Sequence, residues 1–65
     1  MTAALEARAL TALRTARDLG GYDDEARACA FAEGWIHAKV AADPAVVFRA
    51  VAKVWARDFQ IAGPV

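Results

Sequence analysis

Apolar positions recur along this chain at spacings of three and four, and Gly and Pro pairs interrupt them at two places. Gly20-Gly21 and Asp43-Pro44 divide the chain into three segments of similar length. Gly20 suits the left-handed residue that closes a helix. Asp43 before Pro44 is a start signal, because the carboxylate can cap free amide hydrogens and Pro at the first helical position loses no needed donor. Asp23, Asp24 and Glu25 place negative charge at the positive end of the second segment. Gly63-Pro64 ends the third. The pattern predicts an all-α fold, a small three-helix unit with helices near 3–19, 23–41 and 44–61. The expected architecture is a single helical domain over 1–65, assembled into a helical homo-oligomer.

The three segments differ in how much apolar surface they carry. In the first, Leu5, Ala9, Ala12, Leu13, Ala16 and Leu19 share one face, and Arg8, Thr11, Arg14, Thr15 and Asp18 share the other. Leu10 sits at the margin. In the second, Cys29, Ile36 and Val40 make one strip. Ala28, Phe31, Trp35, Ala38 and Ala42 make another on nearly the opposite side, with small residues Ala26, Ala30, Gly34 and Ala41 between them. The third has an apolar arc of more than half its circumference: Val47, Val54 and Ile61 on one flank, Val51 central, and Phe48, Trp55 and Phe59 on the other, with Ala52 beside them. Arg49, Lys53, Arg57 and Gln60 form a narrow polar stripe. Asp58 falls inside the arc, where a buried carboxylate needs a cation or donors. Arg27, His37 or an arginine of another subunit are the candidates. A connection of about two or three residues between the second and third helices favours antiparallel neighbours.

Composition sharpens this picture. Apolar residues make up 58% of the 65 residues, above the roughly 45–50% of globular domains, which excludes a disordered charged tail. Eighteen of them are alanine, which favours helix but buries little surface. A domain of this size is marginal alone, and oligomerisation is a standard remedy. If the first helix covers the aliphatic flanks, then Phe31, Trp35, Phe48, Trp55 and Phe59 face outward, and a symmetric pairing of those flanks is the simplest way to bury them. Lysine and arginine balance aspartate and glutamate at eight each, so the chain has no long-range pull toward nucleic acid and little self-repulsion.

No uncharged apolar run reaches the ~18–20 residues of a membrane span, and the first residues lack the basic-then-apolar pattern of a signal peptide. Together with a single cysteine, Cys29, this gives the expectation of a cytoplasmic protein with no membrane partner. Three kinds of chemistry are open to these side chains. Glu33 and His37, four apart, share a helix face and could reach one metal ion, with a symmetry mate doubling the ligands and Asp58 as a third. The bland reading is a local Glu–His contact. Arg49, Lys53 and Arg57 repeat every four residues and could follow phosphates as a nucleic-acid-binding stripe. The bland reading is a solvated face, and zero net charge favours it. Cys29 has neither an activating His one turn away nor a second Cys.

With no phosphate loop and no nucleophile–base pair, the expected protein is not an enzyme and needs no cofactor. It is a protein–protein interaction module (an accessory subunit, adaptor or inhibitor) acting as a homodimer or higher oligomer. Its interface residues are Phe31, Trp35, Phe48, Trp55 and Phe59. Its partners are itself and another protein. The alternatives are a nucleic-acid regulator and a metal-binding bundle.

Overall fold

The computed structural model describes residues 2–22 and 24–59. Among these residues the protein is all-α: α1 spans Thr2–Leu19, α2 Glu25–His37 and α3 Pro44–Val54, and α3 runs on into a π-helical turn over Trp55–Phe59. Three expected features lie outside the described residues: Asp23, the Gln60 and Ile61 end of the third helix, and Gly63-Pro64. No described helix is long and apolar enough to cross a membrane.

The helix ends follow the punctuation of the sequence. Gly20 and Gly21 both adopt positive φ, 77° and 84°, a region that costs a residue bearing a Cβ about 1–2 kcal/mol. The Gly20 amide donates to the Arg17 carbonyl at 3.2 Å, closing α1. At the start of α3, Asp43 is extended and its carboxylate accepts from the Ala45 amide at 2.9 Å. Its own carbonyl accepts from the amides of Val46 and Val47, both at 3.0 Å. Asp24 stands at the same position before α2, yet its side chain makes no capping bond. It lies 3.8 Å from the Arg27 guanidinium instead.

Two boundaries differ from the sequence expectation. α2 stops at His37 rather than near 41, so the link to α3 runs over 38–43 and is longer than the two or three residues expected. Alanine-rich sequence favours helix there, but the chain must turn back. The Ala38 amide still donates to Gly34, and the Lys39 and Val40 amides both fold onto the Ile36 carbonyl at 2.9 and 2.8 Å. This turn lets Val40 pack against the core. Extended residues then advance roughly 3.3 Å each against about 1.5 Å in a helix, which gives the reach to start α3. The residue before Pro44 is also driven away from helical angles. Leu19, expected on the buried face, is 63% exposed. At about 1.5 Å per residue α1 is several ångströms longer than α2 and overhangs it.

The chain goes up, down and up. Ala7, Arg8 and Thr11 border Trp35, Ile36 and Lys39, while Leu13 and Arg17 border Ala28, so α1 and α2 run antiparallel. Glu6 meets Lys53 and Arg57, and Arg17 meets Phe59, so α1 and α3 share a direction. Leu13, Ile36, Val47, Val51 and Val54 are the large side chains fully buried, and Ala9, Ala12, Ala16, Ala28, Ala32 and Ala50 fill the space between them. The expected apolar face of α1 is thus confirmed from Ala9 to Ala16, with Leu5 and Leu10 packed at its edge.

The contrast between the two aspartates is open to measurement. Asp43→Ala should lower unfolding free energy by about 1 kcal/mol, the usual value of an N-cap, whereas Asp24→Ala should cost clearly less because no side-chain cap is lost. Chemical denaturation of the two variants would decide it, and equal losses would contradict the cap assignment.

Candidate functional site

The residues singled out in the sequence are arranged around α2. Ala28 and Ile36, expected on nearly opposite strips, are both buried in the core together with Ala32: at about 100° per residue, eight positions bring them back to within about 80° of each other, on one face. Trp35 lies toward α1, with Phe31 beside it, and Cys29 lies toward α3. The column Ala26, Ala30, Gly34 faces outward and is exposed. A Cβ built at Gly34 would meet no neighbouring atom within 4 Å.

The five expected interface aromatics are therefore not gathered on one flank. Phe31 and Trp35 form a run with Tyr22, with ring centroids 4.8 Å apart for Tyr22–Phe31 and 6.5 Å for Phe31–Trp35. Trp55 and Phe59 stack at 5.8 Å with rings 7° from parallel, and the Arg17 guanidinium lies 5.6 Å from the Phe59 centroid. Trp35, Trp55 and Phe59 are half-buried against the core. Phe48 stands apart at the α2–α3 junction and is 57% exposed. It shares a shallow apolar groove with Ala26, Cys29, Ala30 and Ala52, edged by Glu25 and Glu33. A second groove, between α1 and α2, has Trp35 and Ile36 as its apolar lining and Arg8 and Lys39 at its edge. The Lys39 ammonium sits 5.1 Å above the Trp35 ring, a cation–π contact.

Two cations of the basic stripe of the third helix pair with α1 at the surface. Glu6 holds Lys53 at 3.3 Å and Arg57 at 3.4 Å, and its side chain is only 18% exposed. Arg57 also donates twice to Asp58, at 3.0 and 3.1 Å. Those hydrogen bonds and the Asp58 charge, with Glu6 adding to them, hold the guanidinium further toward its charged form. Asp58 is thus exposed and partnered by its own neighbour, not buried and matched by Arg27 or His37. Arg49 makes no ion pair among the described residues. Glu6 was missed in the sequence, although a signal existed: Glu6, Leu10 and Leu13 lie at i, i+4 and i+7 and so share one side of α1.

Glu33 is half-buried and His37 exposed. Among the described residues no group of three or more His, Cys, Asp or Glu side chains is placed to hold a metal ion, so Glu33 and His37 have no third donor beside them. Cys29 is half-buried between Glu25 and Glu33, one turn to either side. Burial first, then the two carboxylate charges, push its thiol up to about 11 from 9.0. Such a thiol is protonated at neutral pH and a poor nucleophile.

No protein-family model, curated protein or solved structure matches the chain.

Two outcomes test this geometry. Cys29 should react with iodoacetamide near about pH 8 at least roughly tenfold more slowly in the folded chain than in urea, with the rate climbing toward pH 11. Because the folded state keeps the proton that the unfolded thiol releases above 9.0, this group leaves stability intact below that pH and lowers it as pH rises through about 11. Glu6→Gln, in turn, should free Lys53 and Arg57 and lengthen retention on a heparin column at low salt. Unchanged retention would show that Glu6 does not mask the stripe.

Proposed function

We propose that the protein is a small, non-catalytic, cytoplasmic helical module that binds other protein chains and acts as a homodimer or higher oligomer. Phe48 carries this reading. A phenylalanine that is 57% exposed, set beside the apolar surface of Ala26, Ala30 and Ala52, is a contiguous patch rather than a scattered surface residue. Such patches mark contact sites, and aromatic side chains dominate binding hot spots. The core supports the same reading. Among the described residues, five large buried side chains and several alanines give a lone chain of this length a narrow margin of stability, which association with another chain would widen.

The grooves favour protein over small-molecule partners. The one beside Trp35 encloses about 210 Å³ and the one beside Phe48 about 320 Å³, at or below the lower end of the roughly 300–1,000 Å³ typical of ligand pockets. Both are open troughs along helix junctions, suited to single side chains of a docked surface. With Lys53 and Arg57 committed to Glu6, the stripe on α3 offers phosphates only Arg49 as a cation without a partner among the described residues.

Sedimentation equilibrium over a range of concentrations tests the proposal. The wild-type chain should exceed its 6.9 kDa protomer mass, and Phe48→Asp should return it toward that mass while keeping its helical circular dichroism. A wild-type chain that stays at protomer mass at high concentration overturns self-association.

A further inference from the structure

The two flanks of α2 carry opposite charge. Toward α1 there is a hollow: the groove floored by Trp35 and Ile36, with Arg8 and Lys39 at its edge. Toward α3 there is a second groove, lined by an exposed aromatic ring: Phe48, with Glu25 and Glu33 beside it. None of these four charged side chains is held in an ion pair among the described residues. The hollow, at about 210 Å³, is smaller than a typical ligand site and scaled to one bulky side chain. An aromatic ring flanked by carboxylates is the counterpart of an indole flanked by cations, and both are on this chain.

We infer that copies of this chain associate head to tail, with Phe48 of one copy seated against Trp35 of the next and Glu25 and Glu33 facing Arg8 and Lys39. This rests on the self-association proposed above and specifies its geometry. A two-fold pairing through the Phe48 face sets Glu25 and Glu33 against their own copies. A two-fold pairing through the Trp35 face does the same for Arg8 and Lys39. Like charges facing one another across an interface are costly, whereas the mixed pairing places every charge opposite its complement. The two faces lie on different flanks of α2, so the contact is heterologous: each added copy leaves one Phe48 face and one Trp35 face free, and growth continues until a ring closes or a filament forms. Zero net charge removes the general repulsion that would oppose such growth.

Complementation tests this directly. One variant, Phe48→Asp, removes the exposed ring. A second, Arg8→Glu with Lys39→Glu, reverses the edge of the hollow at two exposed positions. Circular dichroism confirms that each folds, and Phe48→Ser replaces Phe48→Asp if the latter does not. The wild-type mass should pass beyond two chains as concentration rises and fall with added salt, since partly exposed charge pairs are screened. Each variant alone should remain at protomer mass. An equimolar mixture retains one competent Phe48 face and one competent Trp35 face, so it should double in mass and stop there. If the Arg8→Glu/Lys39→Glu variant assembles as the wild type does, or if the mixture stays at protomer mass, the head-to-tail contact is overturned while self-association through another surface stands. If the wild-type chain is itself monomeric at every concentration, both proposals fall.

Discussion

Close approach of three helix backbones is the constraint on which the rest of the structure depends. Ala9 and Ala12 of α1 share one core cluster with Ala28 and Ala32 of α2, and Ala16 and Ala50 are buried as well. Short side chains at a helix contact let the axes come toward the near end of the usual 8–10 Å separation. Leu13, Ile36, Val47, Val51 and Val54 fill the interior, while Trp35, Trp55 and Phe59 cover its edges and Phe48 is exposed.

Charge placement follows from this packing. Because α1 and α3 lie close and run the same way, Glu6 reaches both Lys53 and Arg57, and two cations that look free in the sequence become surface ion pairs with α1. The flanks of α2 receive no such neutralisation. Glu25 and Glu33 remain near Cys29, where they raise its thiol, and Arg8 and Lys39 remain beside Trp35. A chain whose total charge is zero therefore carries two locally unbalanced faces. Local imbalance of that kind governs orientation and specificity in association more than raw affinity.

Much of the fold was legible in local chemistry. Gly20 closing α1 and Asp43-Pro44 opening α3 were readable because each depends on one residue's conformational range or one carboxylate's reach. The buried series from Ala9 to Ala16 was readable because helical periodicity forces those positions onto one side. The end of α2 was not: alanine propensity extends the helix past His37, and only the need to turn Val40 toward the core stops it. The exposure of Leu19 was hidden for a related reason, since periodicity gives the facing direction of a residue but not whether a neighbouring helix is long enough to cover it.

The amino-acid order by itself determined an all-α chain of three helices and where most of them begin and end. These are consequences of interactions within a few residues, which the chain carries wherever it folds. Tertiary structure alone decided which helix each side of α2 would meet, that Glu6 would occupy Lys53 and Arg57, that Asp58 would be partnered by Arg57, and that Phe48 rather than all five aromatics would stand exposed. Those outcomes depend on distances between residues up to 51 positions apart, and such distances are set only when three helices settle against one another.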